Sequence, residues 1–136
     1  VNFLSLYTIS VRTQKRSELV SLNREIEKVI RDSSFTEGLC IVFVPHTTAG
    51  VTINENADPD VKRDILDTLE EMVPWRSGYL HMEGNSAAHI KASMMGFTQT
   101  LLVERGRLVL GTWQDVFLAE FDGPRERKIH LKLIGS

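Results

Sequence analysis

Residues 3–11 alternate, with Leu4, Leu6, Thr8 and Ser10 on one side, and this period of two predicts a strand. The period lengthens over residues 16–32. There Leu19, Leu22, Ile26, Val29 and Ile30 recur at helical spacing among Arg24, Glu25, Glu27 and Lys28, which predicts one amphipathic helix capped by Ser17. Gly38 breaks the pattern, and residues 39–44 read as a short buried strand that Pro45 ends. Residues 45–50 are a loop and 51–54 a second short strand. Asp58 as N-cap, Pro59 at the first helical position and Asp60 in the first turn open a helix. Its apolar stripe is Val61, Ile65, Leu69 and Met72, and Pro74 closes it. Residues 75–84 show no period and read as a loop. Asn85 then caps a short helix over 86–95, which Gly96 stops. From residue 97 onward every signal is strand. Residues 97–104 and 107–111 flank the Arg105-Gly106 link, 112–121 continue, Asp122-Gly123-Pro124 turns, and 125–134 alternate. The expectation is an α+β fold, residues 1–136 forming one domain whose antiparallel sheet is weighted toward the C-terminus, with helices packed on it.

Length supports that count, since 136 residues bury one real core but not two. With 16 Lys+Arg against 18 Asp+Glu the net charge is -2, so no overall field favours nucleic acid or an anionic membrane as a partner. No apolar stretch approaches the roughly 20 residues that span a bilayer. The first eleven residues lack the uninterrupted apolar core of a signal peptide. The one cysteine, Cys40, has no intrachain partner and reads as an inert buried thiol. These features point to a cytoplasmic protein.

Candidate chemistry gathers on loops and helix starts. His46 leaves a buried strand, His81 lies in the aperiodic loop, and His89 follows Asn85 by about one helical turn. Three imidazoles with an open position would suit zinc, although the spacing is no standard zinc signature and hydrogen bonding within loops also accounts for them. In His46-Thr47-Thr48-Ala49-Gly50, Thr47 and Thr48 could present oxygens and backbone N–H groups to an anion; a polar turn is the alternative. Asn54, Glu55, Asn56 and Asp58 could bind a cation, though capping explains Asp58. Trp113 could stack a heteroaromatic ring while Gln114 reads its edge, core packing being the other reading of a tryptophan. Glu120 lies six residues past Gln114, on the same face of a regular strand, where an inward carboxylate needs a partner. Arg125 offers a guanidinium suited to phosphate or carboxylate, or to an ordinary salt bridge. His130 alternates with Ile129 and Leu131, faces outward and receives no role.

In order along the chain, these segments resemble the YjbQ family, also called the secondary thiamine-phosphate synthase family. The carrying residues are Pro45-His46-Thr47-Thr48-Ala49-Gly50-Val51-Thr52-Ile53-Asn54-Glu55, then Tyr79-Leu80-His81, Asn85 and Ala88-His89. They continue through Gly106, Leu108, Gly111-Thr112-Trp113-Gln114 and Glu120-Phe121-Asp122-Gly123-Pro124-Arg125. Thr98 stands where Ser is frequent, and a hydroxyl is kept. The resemblance implies a β-sandwich-like core, a homotrimer with sites near subunit contacts, and His46, His81 and His89 as ligands of a divalent metal. Zinc suits the histidines; magnesium suits a diphosphate substrate. The activity it implies joins a hydroxymethylpyrimidine diphosphate to a thiazole phosphate, giving thiamine phosphate and pyrophosphate. Arg125, Thr47 and the metal would neutralise the leaving group, Trp113 and Gln114 would hold the pyrimidine, and Thr48 and Asn85 would complete substrate binding. Two alternatives stay open: a metal-dependent hydrolase of a phosphorylated small molecule with Glu55 or Glu120 as base, and a non-enzymatic trimer that binds a small molecule or metal.

Overall fold

A computed structural model describes residues 5–136. Its elements run β1 (Leu6–Arg12), β2 (Glu18–Ser21), α1 (Asn23–Asp32), β3 (Gly38–Phe43), β4 (Ala49–Glu55), α2 (Pro59–Met72), α3 (Ser86–Met95), β5 (Thr98–Glu104), β6 (Arg107–Leu108), β7 (Gln114–Glu120) and β8 (Glu126–Gly135). The fold is α+β, as expected. Two antiparallel sheets form, one of five strands in the order β1-β8-β3-β5-β6 and one of three in the order β2-β7-β4. The alternating strands turn Cys40, Val42, Leu101, Val103, Ile129, Leu131 and Leu133 of the larger sheet toward Val51, Val116 and Leu118 of the smaller. Leu22, Ile26, Ile30 and Phe35 join that core from α1 and its flanks. β7 is buried on both faces. Its Phe117 and Ala119 pack, with Leu19, against Leu69 of α2 and Ala88 and Ala92 of α3. The layers are therefore sheet, sheet and a pair of helices.

Gly50 allows a close approach between the last two layers: a Cβ there would stand 2.5 Å from the Gly96 carbonyl oxygen at the end of α3. α2 begins as its sequence dictates, with Asp58 Oδ1 accepting from the Asp60 N–H at 2.9 Å and Pro59 next in line.

Several expectations need correction. The helix expected over 16–32 is two elements. Glu18–Ser21 pairs with Phe117–Glu120 as a strand, and the helix starts only at Asn23. Leu19 and Leu22 do stand at helical spacing, but they enter different cores, Leu19 beside Phe117 and Leu22 beside Val116. Leu22, not Ser17, occupies the cap position, without a side-chain hydrogen bond. The first strand runs Leu6–Arg12, and the expected positions Phe3 and Leu4 lie outside the described residues. β4 is longer than expected, Ala49–Glu55, because every residue of it finds a partner in β7. β6 is shorter, and Thr112 and Trp113 are not strand: Gly111 N–H donates to Gln114 Oε1 (2.8 Å) and Gln114 N–H to the Gly111 carbonyl (3.1 Å), closing a turn there. No helix among the described residues is long and apolar enough to cross a membrane.

Candidate functional site

The loop between β3 and β4 lies beside the loop between β7 and β8, because Ala49 pairs with Glu120 and the Phe121 N–H donates to the Thr48 carbonyl at 3.2 Å. A buried charge pair fixes this junction. Arg127 shares the inward parity of Ile129, Leu131 and Leu133 on β8, and it is 2% exposed; Glu120 on β7 is 0% exposed. Arg127 Nε donates to Glu120 Oε1 at 2.9 Å and Nη2 to Oε2 at 2.5 Å. Nη2 also donates to Thr48 Oγ1 at 2.8 Å. Thr13 Oγ1 and the Asp122 N–H donate to the two oxygens of Glu120 at 2.8 and 3.0 Å. Burial alone would raise the Glu120 pKa. The donors Arg127, Asp122 N–H and Thr13 outweigh it and hold the carboxyl below its ordinary range. Both oxygens are engaged within the protein.

The imidazole of His46 extends this junction to the surface. Its Nε2 stands 3.0 Å from Lys128 N and 3.1 Å from Lys128 O, so the side chain docks on β8 backbone where Pro45 ends the β3 pairing. Burial and then the Arg127 charge lower its pKa, against the Lys128 backbone bond and Glu120, which raise it. The ring is thus kept neutral with Nδ1 as the nitrogen not spent on that backbone. Thr47, exposed beside it, shares a groove with Phe43, Val44, Pro45 and Phe97.

Arg125 is oriented from behind. Its Nε donates to the Asp122 carbonyl at 2.9 Å and Nη2 to Asp122 Oδ2 at 3.0 Å, while the side chain stays 50% exposed with donors to spare. The same Asp122 oxygen accepts from Asn85 Nδ2 at 2.9 Å. Asn85 sits at the cap position of α3 but makes no capping side-chain bond, and its Oδ1 is a buried acceptor without a partner. One turn on, the His89 ring meets that of His81 edge to face, centroids 5.5 Å apart. Tyr79, Leu80, Ser86 and Ile90 line the groove around them.

The remaining candidates stand elsewhere. Glu55 pairs with Gln114 at the far end of the β4–β7 ladder, whereas Ala49 pairs with Glu120 at the near end. Six strand steps, about 20 Å, separate the two ends. Gln114 spends its amide oxygen on Gly111, and Trp113 is 63% exposed beside it. Within one chain, then, Thr48 and Glu120 share one network, Asn85 and Arg125 meet at Asp122, and His81 joins His89. Glu55, Trp113 and Gln114 lie apart from all of these. Among the described residues no three His, Cys, Asp or Glu side chains form a metal-holding group. Arg127 and Thr13 escaped the sequence reading. The inward parity of Arg127 with Ile129 was the available signal, and Thr13 continues the parity of Val11.

Comparison with known proteins places these residues in context. The family described as UPF0047 protein YjbQ-like matches residues 7–136. The chain is 49% identical to UPF0047 protein YugU of Bacillus subtilis over 96% of this chain and 99% of that one. It is 48% identical to a UPF0047 protein of Methanocaldococcus jannaschii, over 96% of this chain and 95% of the other. Among solved structures, an uncharacterized YjbQ/UPF0047 protein of Clostridium acetobutylicum superposes with TM-score 0.91 at 48% identity, covering 94% of this chain and 99% of that chain. A YjbQ-like protein of unknown function from Sulfolobus solfataricus reaches TM-score 0.91 at 34% identity, covering 97% of each chain.

Proposed function

The chain belongs to the UPF0047 YjbQ-like family, and on that premise we propose that it is a cytoplasmic transferase acting on a diphosphorylated heteroaromatic, in the manner of a thiamine-phosphate synthase. One observation carries this reading. A half-exposed guanidinium, Arg125, is fixed by Asp122, its charge is felt at His46, and both stand on loops that the buried Arg127–Glu120 pair holds in place. Such an arrangement offers spare N–H donors to a phosphate without reorganisation, which is what a departing pyrophosphate requires. Thr47 stands exposed beside His46 on the β3–β4 loop and adds a hydroxyl.

A divalent metal fits this corner in part. His81 and His89 are adjacent imidazoles, and Asn85 Oδ1 is a buried acceptor that lacks a donor. These residues would hold the ion, and the proposal takes as its third nitrogen ligand the neutral His46, which within one chain docks apart from them on the Lys128 backbone; the metal would supply Lewis-acid charge neutralisation at the phosphates. The hydrolase alternative is less well served. Its candidate bases are Glu120, whose oxygens are both hydrogen-bonded in the interior, and Glu55, at the far end of the ladder.

Self-association into a homotrimer is part of the proposal. The outer face of the five-stranded sheet aligns Leu102, Leu39 and Ile134 in one row, and Ile41 and Leu6 with Lys132 in the next. Leu6, Phe43, Leu102 and Ile134 are each roughly half exposed there, an apolar sheet face with no helix over it among the described residues. A second copy would cover it.

The test is product analysis with hydroxymethylpyrimidine diphosphate and thiazole phosphate. Thiamine phosphate with equimolar pyrophosphate supports transfer; inorganic phosphate alone supports hydrolysis; no turnover leaves the binding protein.

A further inference from the structure

Between α2 and β2, with the turn that precedes β2, lies a cleft of about 340 Å³ that the proposed reaction does not use. Leu19 and Leu66 form its apolar lining. Around them stand three cations, Lys15, Lys62 and Arg63, and two carboxylates, Glu18 and Asp67. The carboxylates do not match the cations one for one. Glu18 Oε2 accepts from the backbone N–H groups of Gln14 and Lys15 at 2.5 and 3.0 Å, so it closes the turn before β2. Arg63 lies 3.9 Å from Asp60, and both are largely exposed. Neither Lys15 nor Lys62 has a carboxylate in ion-pair contact among the described residues. Lys62 is half-buried, and its Nζ stands over the ring of the buried Phe117, 5.6 Å from the centroid.

An ammonium drawn toward a buried ring gives up part of its water, and the ring face returns only part of that loss. Elsewhere in the chain such a group has a carboxylate beside it, as Lys91 has Glu70. Lys62 has none, and a second unpaired ammonium, Lys15, shares its cleft. Three cations against one untied carboxylate suit a dianion with several acceptor oxygens, and the two leucines suit an apolar body attached to it. We infer that this cleft binds a phosphate monoester of a small apolar molecule. The phosphate takes the Lys62 and Lys15 ammoniums with Arg63 at the rim, and the organic group covers Leu66. None of these residues belongs to the Arg125 corner, and the inference does not depend on what that corner turns over.

The test titrates phenyl phosphate, phenyl sulfate and inorganic phosphate by calorimetry into the full chain carrying Arg125→Ala, so that the other anion-binding guanidinium contributes nothing. At about pH 8 phenyl phosphate is a dianion, its second pKa being about 6, while phenyl sulfate is a monoanion of the same shape. Phenyl phosphate should bind saturably. Phenyl sulfate should bind about tenfold more weakly, and inorganic phosphate, with nothing to lay on Leu66, about fivefold more weakly. Lys62→Met should weaken phenyl phosphate by about tenfold and the more exposed Lys15→Met by about threefold. Lys62→Gln should act as Lys62→Met does, and serves if the methionine perturbs α2. Absence of saturable binding, equal binding of phenyl phosphate and either other anion, or binding that both Lys62 variants leave unchanged would overturn the assignment.

Discussion

Arg127 and Glu120 face each other across the junction of β7 and β8, and neither side chain reaches solvent. Their contact ties together three segments that are remote in sequence, since Thr13 donates to the same carboxylate and Thr48 accepts from the same guanidinium. Removing one partner leaves an uncompensated buried charge. Arg127→Met should cost about 3–5 kcal/mol, and the double variant with Glu120→Gln should recover part of that loss. Urea midpoints of the two variants check this; an unchanged midpoint in Arg127→Met contradicts it.

Glu120 also gives stability a pH dependence. Its folded pKa lies below the ordinary value, so its contribution is complete above the unfolded pKa of about 4.3 and is lost as pH falls through the folded value. Between about pH 5 and pH 3 the wild-type unfolding midpoint should therefore drop more steeply than that of Glu120→Gln. Parallel curves would remove Glu120 from the acid limb.

Gly50 has no room for a side chain. The Cβ of Gly50→Ala would meet the Gly96 carbonyl at 2.5 Å and Met95 Cβ at 3.0 Å, so α3 must move away from β4. A loss of about 1–3 kcal/mol is expected in chemical unfolding. A neutral substitution would mean that the β4–α3 contact is loose.

Trp113 separates two readings of an aromatic residue. At 63% exposure it is not core, so Trp113→Ala should change stability by only about 0.5 kcal/mol, against roughly 3–5 kcal/mol for a buried ring. Thermal unfolding of the variant decides between them.

What the sequence conveyed follows from the length of each pattern. The α2 start was legible because Asp58, Pro59 and Asp60 act locally through capping. β8 was legible because its alternation persists over ten residues. β2 was not: four residues carry too little period to outweigh Leu19, Leu22 and Ile26, whose spacing fits a helix equally well. The histidines were visible as candidates, but contact between His81 and His89, and the separate docking of His46 on Lys128, depend on where the loops cross. Gln114 sits six steps from Glu120 along β7, with Trp113 in the turn before it, so sequence proximity hid a separation of about 20 Å.

For the metal, His81→Ala, His89→Ala and His46→Ala should each lower bound zinc and turnover together, with unfolding free energies within about 1 kcal/mol of wild type, because loops and a helix start carry the ligands. His130→Ala, whose Nδ1 meets Thr8 Oγ1 at 2.9 Å on the sheet surface, is the control. Elemental analysis of untagged protein gives the answer, and full zinc content in all three variants would contradict a shared site.

The most direct test of the central claim follows Arg125. With hydroxymethylpyrimidine diphosphate and thiazole phosphate supplied together, phosphorus NMR of the metal-loaded wild type should record pyrophosphate rising in step with thiamine phosphate. Arg125→Ala should slow both by about 100-fold or more while folding as the wild type does. Equal rates in wild type and Arg125→Ala, or phosphate release without a joined product, would contradict transfer at this corner.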